Sequence, residues 1–408
     1  MTGVRLHGPA MRWPLLAVAL AACGIAPSGE HYGFIARLGR DTVAVESITR
    51  RPDALISDEV DRFPRVRQRH TEVSLRPDGS ISRLVMDIHE PGRATPLARD
   101  RHVSAEFGAD SVRIAVLDSG VAQHRAFRTG GALTTVHVPQ MYGLYELYIA
   151  AALAQGTAAK LSEGDSIHVL QVYADREFDR FPLHEGWVQP LRDGKVDVWH
   201  DWLSGVGSAV VDSSRRLRSW SGTRTTYKVD VQRLADPPNV AAIGAQFAAT
   251  EKGRGPVTPL SVRDTARGTV GRAAFTIDYG RPLARGRVLV GDVIPYGEVW
   301  RTGANAATQF TTSAPISLAG LRVPAGTYTL WTMPRTAGGV DLIVNKQTGQ
   351  WGTSYDPELD LGAKPLHVET AAGSVEKFTI AVQAADATHG TLVMEWGTFR
   401  WTAPIVVR

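Results

Sequence analysis

Six side chains in the C-terminal third of the chain have types and spacings that could do chemistry: Tyr296, Trp300, Arg301, Asn305, Lys346 and Trp351. A guanidinium offers a planar fork of donors that matches a carboxylate or a phosphate, and an indole face stacks on a sugar ring or a cation. Brought together, they would line a cleft for a glycan or a small anion. The competing arrangement puts Trp300 and Trp351 in a core while Arg301 and Asn305 stitch a loop through backbone hydrogen bonds, as buried polar groups must. Both remain open at this level. Lys346 is the one titratable candidate near these residues for acid–base work on an envelope glycan. No complete catalytic constellation is legible, so no catalytic residue is assigned. A non-catalytic binding or interaction module is therefore expected ahead of a hydrolase.

Other patterns look like chemistry without completing it. Ile114-Ala115-Val116-Leu117-Asp118-Ser119-Gly120 resembles the aspartate segment of subtilisin-like proteases. A triad needs three roles in one geometry, and no His-Gly-Thr-His segment accompanies it, while Gly352-Thr353-Ser354 lies in a different region. Asp118 reads better as a turn residue after a strand. No two histidines are spaced as on a zinc-binding helix, and the single cysteine excludes an internal disulfide and a cysteine zinc site, so no metal is expected. Gly33, Gly39, Gly280 and Gly286 are turn positions and form no phosphate-cradling loop, so no nucleotide or other cofactor is expected. Asp356 and Asp360, beside Pro357 and Gly362, read as solvated turn residues. The formal charge of +4, from 45 basic and 41 acidic residues, is too balanced for a nucleic-acid partner.

The N-terminus carries chemistry of another kind. Residues 1–22 contain Arg5, Arg12, no acidic residue, and an apolar run from Trp13 to Ala22. The run is too short to span a bilayer and suits the core of a secretory signal. It ends Leu20-Ala21-Ala22-Cys23-Gly24, which resembles a bacterial lipobox, and Cys23 is the only cysteine in the chain. Cleavage before Cys23 would leave a lipid-modified residue there. Two or three acyl chains anchor stably where one is marginal. The expectation is an exported protein tethered to a membrane, with Gly24 rather than Asp after the cysteine pointing to the outer membrane and the periplasmic side. Residues 23–30 would form the tether.

Those residues need a scaffold, and 408 residues at 43% hydrophobic allow roughly two to three domains with a sizeable core. Forty glycines and 23 prolines among short β-type runs point to a mainly β protein. Strand-like segments fill a region spanning residues 31–235, among them 41–45, 70–75, 111–117, 167–173 and 225–231. Arg76-Pro77-Asp78-Gly79 is a turn, since Pro presets φ and Gly accepts a positive one. Leu75, Ile81 and Leu84 are spaced like Val211, Leu217 and Trp220. The similarity is either coincidental or the mark of two hairpin sheets joined into one curved sheet.

Residues 141–155 are apolar nearly all round, with Pro139 before and Gly156 after, and predict one buried helix. A curved antiparallel sheet around such a helix would suit a periplasmic carrier of an apolar ligand, the alternative function. A second helix and linker are expected over residues 236–261, capped by Asn239 and closed by Gly253. From residue 262 to 408, runs such as 273–279, 308–312, 327–333, 340–345, 377–382, 391–396 and 404–407 predict an antiparallel β-sandwich. Val323-Pro324-Ala325-Gly326 suits a type I turn.

The segments Val293-Ile294-Pro295-Tyr296-Gly297, Val299-Trp300-Arg301-Thr302-Gly303-Ala304-Asn305, Val323-Pro324-Ala325-Gly326-Thr327-Tyr328, Leu342-Ile343-Val344-Asn345-Lys346 and Gln350-Trp351-Gly352 with Tyr355 together resemble the bacterial domain of unknown function 2911. The resemblance spans about residues 262–408. Ala306 departs from the acidic residue usual in that family after the Asn. The resemblance implies a fold and no mechanism.

Overall fold

The structure, a computed structural model, describes residues 29–407 except 63–65, 91–99, Ser119, Leu161, Glu163, 174–182, 201–204, Thr226 and 255–260. Cys23 and the leader lie outside the described residues, as does most of the expected linker.

The elements follow in the order β1 (Glu30–Leu38), β2 (Asp41–Arg50), β3 (Ala54–Asp61), β4 (Arg67–Leu75), β5 (Ile81–His89), β6 (Asp100–Phe107), β7 (Ser111–Asp118), β8 (Val121–Arg128), β9 (Thr134–His137), α1 (Tyr142–Ala158), β10 (Ile167–Tyr173), β11 (His184–Pro190), β12 (Lys195–His200), β13 (Val206–Val211), β14 (Leu217–Ser221), β15 (Asp230–Leu234) and α2 (Val240–Arg254). Then come β16 (Ser261–Val270), β17 (Ala273–Pro282), β18 (Thr308–Thr312), β19 (Ile316–Leu318), β20 (Leu321–Val323), β21 (Gly326–Pro334), β22 (Val340–Asn345), β23 (Asp360–Pro365), β24 (His367–Ala384) and β25 (His389–Val407). The protein is mainly β, and no helix of the described residues is long and apolar enough to cross a membrane.

The first fifteen strands form one sheet, ordered β8 to β1 and then β15 to β9. The seam is β1 on β15, antiparallel from Gly33 opposite Leu234 to Arg37 opposite Asp230. The matched spacing in the sequence is a matched hairpin. Leu75 pairs Ile81 and Val211 pairs Leu217, each just after a one-residue register shift. Both turns close alike: Arg76 N–H donates to the Ser80 carbonyl at 2.8 Å and Asp212 N–H to the Arg216 carbonyl at 3.0 Å. Each needs one residue at positive φ, supplied by Gly79 (82°) and Arg215 (60°). One pair is parallel, β9 beside β10, because the intervening crossover is α1.

Helix α1 is apolar all round because it is enclosed. Tyr142, Leu144, Tyr145, Leu147, Tyr148, Ile149 and Ala152 are buried. Its rings meet Phe34 of β1 and Trp220 of β14, and it packs on β2, β9, β10 and β11. Only a sheet that curves can reach one helix from strands so far apart in its order. No side chain next to the helix caps it. Glu46 of β2 does so from 97 residues away, accepting from Gly143 N–H at 2.9 Å while Ser57 Oγ donates to its other oxygen at 2.6 Å. Gly143 is required at this approach, since a Cβ there would lie 2.8 Å from Ile48 Cδ1. Burial pushes the Glu46 carboxyl up to about 7.

The one charged side chain of α1, Glu146, ties the helix to the seam. It accepts from Tyr32 Oη at 2.6 Å, Arg216 Nη1 at 3.1 Å, Leu217 N–H at 3.0 Å and Arg233 Nη1 at 3.5 Å. On the opposite sheet face, α2 lays Phe247, Ile243 and Val240 over Val45, Val60 and Val66. Asn239 caps it as expected, accepting from Ala242 N–H at 3.0 Å. The helix runs on through Arg254, so Gly253 sits within its last turn rather than after it.

The C-terminal strands form a sandwich of two antiparallel sheets, β16-β17-β18-β21-β22-β23 and β20-β19-β25-β24. Phe275, Ile277, Phe310 and Leu330 from the first pack with Ile316, Phe378, Met394 and Ile405 from the second in one core. One expectation needs correction. The runs 391–396 and 404–407 are parts of one strand, β25, bent at Gly397 with φ of 55°. The segment Val323 to Gly326 joins β20 and β21, which belong to different sheets, so it crosses between layers, with Tyr328 Oη donating to the Pro324 carbonyl at 3.2 Å.

Replacing Glu146 with Ala would leave Tyr32 and Leu217 N–H without their acceptor and Arg216 and Arg233 with Glu30 as their remaining carboxylate, an expected cost of about 3 kcal/mol. Urea unfolding checks it, and a double-mutant cycle with Tyr32→Phe should give coupling above about 0.5 kcal/mol.

Candidate functional site

The loop from Trp300 to Ala306 joins the two families of interactions that the sequence left open. Trp300 enters as a short bridge: its N–H donates to the Thr332 carbonyl at 2.7 Å and its carbonyl accepts from Thr332 N–H at 2.9 Å. The indole lies in the sandwich core, stacked on Trp396 with ring centres 5.9 Å apart, and edge-on to Phe378 and Trp401. It therefore offers no face to a ligand, which corrects its placement as a cleft wall. The physical reason is that the bridge to Thr332 turns the indole inward, where it buries its apolar area.

Beyond Trp300 the backbone is strained. Thr302, fully buried, has φ of 49°, and Asn305 has φ of 63°. A β-branched residue in this region is an outlier that persists only where its surroundings over-determine it. They do so here. Thr308 Oγ1 donates to the Thr302 carbonyl at 2.7 Å, and Gly352 N–H donates to the Asn305 carbonyl at 3.0 Å. Two glycines admit the loop: a Cβ at Gly280 would lie 2.1 Å from the Ala304 oxygen, and one at Gly352 would lie 2.2 Å from Arg301 Cδ and 2.4 Å from the Asn305 oxygen. The Trp351-Gly352 pair is thus spatially part of the Trp300 loop, with Ala306 bridged to Trp351.

What the loop holds is Arg301. Its side chain is 7% exposed, and its hydrogen bond is a long one, from Nη1 to the Asn305 carbonyl at 3.4 Å. Among the described residues no carboxylate pairs with it. Burial pushes the guanidinium down to about 10. A second cation lies nearby on the segment between β14 and β15. Lys228 Nζ donates to the Thr223 carbonyl, and burial, Arg301 and Arg287 bring it down to about 7, with Glu298 opposing. Arg287 is third. It donates from Nε to the Ala284 carbonyl at 3.2 Å and from Nη2 to the Leu283 carbonyl at 2.6 Å, and burial with Arg285 pushes it down to about 10. None of the three has a carboxylate within ion-pair distance among the described residues.

Lys228 and Arg287 face a cavity of about 360 Å³ between the fifteen-stranded sheet and the sandwich, which Thr223, Asp230, Gly291 and Asp292 also line. The two bodies touch beside it, where Arg40 N–H donates to the Arg285 carbonyl at 3.0 Å and the Arg285 guanidinium pairs with Asp41. The ring of Tyr296, half exposed, lies over Gly291 at the edge of this cavity. Trp351 is 44% exposed, and Asn305 and Lys346 are exposed. The Lys346 side chain makes no hydrogen bond or ion pair among the described residues. Asp360 is no solvated turn residue: it accepts from Asn345 Nδ2 at 2.8 Å and from Tyr355 Oη at 2.6 Å. The structure thus joins Arg301, Asn305 and Trp351 through the loop, brings Tyr296 to the cavity, and adds Lys228 and Arg287. Their signal in the sequence is slight: a lysine in a polar turn, and a basic run from Arg281 to Arg287.

A larger cleft, about 850 Å³, lies on the α2 face of the sheet. Its floor is a cross-strand row in register, Asp58 of β3, His70 of β4, Asp87 of β5 and His102 of β6. His70 Nδ1 meets Asp58 at 2.7 Å and His102 Nδ1 meets Asp87 at 2.7 Å. The Asp58 hydrogen bond raises His70 above its usual range. Each partner is about half exposed and already satisfied, which fits cross-strand pairing that steadies the sheet. Asp118 ends β7 and pairs with Arg101 at 2.5 Å. No group of three metal-ligating side chains is drawn together among the described residues.

Residues 261–405 match the model of a protein family described as a protein of unknown function, DUF2911. The match begins at the first residue of β16 and ends in β25. Two solved structures are similar in part. One is a DUF1089 family protein from Pseudomonas aeruginosa, at 12% identity over 52% of this chain and 95% of that one, with a TM-score of 0.31. The other is a β-barrel-like protein of the domain of unknown function DUF1849 from Brucella abortus, at 10% identity over 50% and 93%, also with a TM-score of 0.31. No curated protein matches the chain.

A Gly352→Ala substitution pushes a methyl group into the Asn305 carbonyl and the Arg301 stem, and is expected to destabilise the protein by about 1 to 3 kcal/mol. Gly349→Ala would be strained by its φ of 78° but meets no atom within 4 Å, so thermal melts of the two variants separate crowding in the loop from backbone strain alone.

Proposed function

We propose that this chain is an exported, lipid-anchored binding protein of the cell envelope, whose ligand presents an anionic group to the cavity between the fifteen-stranded sheet and the sandwich. The observation that carries it is the set of three cations, Arg301 buried and Lys228 and Arg287 partly buried, none within ion-pair distance of a carboxylate among the described residues. Removing an ion from water costs several kcal/mol, and an ion of opposite charge offsets that cost only when it is close. A carboxylate or phosphate entering the cavity would supply it, with Arg287 offering its planar donors. The strained loop that buries Arg301 fits a site whose parts are held ready before the ligand arrives.

The anchor rests on Cys23 in its lipobox-like setting after an export signal, and the outer membrane, facing the periplasm, remains the proposed location. The carrier reading has less support, because the sheet face that an apolar ligand would occupy is filled by the side chains of α1. The glycan-hydrolase reading draws nothing from Lys346, whose side chain stands exposed and unpaired among the described residues.

Two outcomes check the proposal, each on the full-length protein in detergent. Lys228 has a folded pKa near 7, well below its unfolded value, so an anion that pairs with it draws a proton onto it. Calorimetric titration with inorganic phosphate or acetate should show proton uptake at pH 7.5, and affinity should fall as pH rises from 7 to 9. In the ligand-free protein, the same depressed pKa makes the buried ammonium destabilising below about pH 7, and stability recovers as pH rises from there towards 10. Lys228→Met should therefore raise the melting temperature at pH 6.5 and abolish the proton uptake. A lower melting temperature together with unchanged anion binding would count against the site.

A further inference from the structure

Of the three cations, Lys228 is the one whose chemistry exceeds charge. It lines the half-open cavity, and its one hydrogen bond among the described residues runs from the amine to the backbone carbonyl of Thr223 rather than to an acid. Arg287 lines the same cavity from the sandwich side. Two carboxyl groups, Asp230 from β15 and Asp292 from the loop before Val293, line it as well. Cation, amine and acid therefore share a space of about 360 Å³, enough for a small organic acid.

We propose that Lys228 captures a small oxo acid as an imine, the carbonyl condensing with its amine while the ligand's carboxylate pairs with Arg287. The proposal rests on the anion-binding reading and names the chemical class of the ligand. In the step itself, the lone pair of the neutral amine forms a bond to the carbonyl carbon, and the carbonyl electron pair moves to oxygen. That oxygen gains a proton, and the nitrogen loses one, giving a carbinolamine. Loss of water, its hydroxyl leaving with a second proton, then gives the carbon–nitrogen double bond. The sum is amine plus carbonyl to imine plus water, with no oxidant or reductant required. Asp230 and Asp292 are the groups in the cavity that can pass protons between nitrogen and oxygen.

Two physical features favour the amine. An ordinary lysine is in its free-base form only about one part in a thousand at pH 7.5, whereas burial and the neighbouring guanidiniums keep Lys228 substantially neutral there. The same guanidiniums favour a substrate that brings its own negative charge, so an uncharged aldehyde or ketone should be taken up less well than an oxo acid of equal size.

The experiment treats full-length protein in detergent with pyruvate and cyanoborohydride at pH 7.5, followed by intact-mass and peptide analysis. The expected result is one reduced pyruvate adduct, on Lys228, formed at least about tenfold faster than on the exposed Lys346. Acetone at the same concentration should label far less, and Lys228→Arg should remove the adduct while keeping the fold by circular dichroism. Arg287→Gln should slow labelling by pyruvate more than labelling by acetone, because it removes the carboxylate's partner as well as one of the guanidiniums that keep the Lys228 amine neutral.

Equal labelling of Lys228 and the surface lysines overturns the imine. Calorimetry with pyruvate and with lactate, which has no carbonyl, separates the two readings. Binding of both without an adduct overturns imine formation and leaves the anion site intact. No binding of either removes the anion site and the imine together.

Discussion

Helix α1 is the constraint on which the N-terminal half depends, and two carboxylates hold it. The helix is too apolar to stand in water and has no capping residue of its own, so its free N–H groups must be met by something the sheet brings. Glu46 meets them from β2. Near the middle of the helix, Glu146 gathers Tyr32 of β1, Leu217 of β14 and the guanidiniums of Arg216 and Arg233, which lie on either side of the β1–β15 seam. One buried acid thus pins the helix where the sheet's two arms join. Buried charge is costly, and it is tolerated because every lone pair that matters is engaged.

The contrast with the other end of the chain is instructive. Glu146 is a buried charge surrounded by partners, whereas Arg301 is a buried charge with, among the described residues, one long hydrogen bond to a carbonyl. Nothing in the sandwich core requires a guanidinium there. The loop that carries it places Thr302 and Asn305 at positive φ and depends on Gly280 and Gly352 for room. Such strain against such sparse pairing is what a site prepared for an incoming anion would display. Its position beside the cavity matters equally, because Lys228 belongs to the sheet and Arg287 to the sandwich. A ligand there would touch both bodies at once.

Much of the scaffold was legible because it depends on local periodicity. The strands 308–312 and 340–345, the Arg76 to Gly79 turn, both helices and the cap at Asn239 all follow from alternation, turn chemistry and capping within a few residues. The errors fell where neighbours distant in sequence decide. Pro324 sits at a turn position, and only the sheets show that the strands on its two sides belong to different layers. The runs around Gly397 look like two strands, yet they are parts of one, paired with β24 up to Thr402 and with β19 from Ile405 to Val407. Trp300 illustrates the same limit for the site: its residue type suits a ligand cleft and a core equally, and only the bridge to Thr332 shows which way it faces.

By itself, the sequence determined that this is a mainly β protein with one enclosed helix and a C-terminal sandwich, since burial patterns repeat every two residues in strands and every three to four in helices. It also singled out Arg301 as a residue that would either bind an anion or stitch a loop, because a planar set of donors suits both. Tertiary structure alone decided that Arg301 is buried with no carboxylate paired to it among the described residues, and that Lys228 and Arg287, 59 residues apart in the chain, line one cavity. Those are properties of space between elements: desolvation and Coulomb interaction depend on distances that no local pattern encodes.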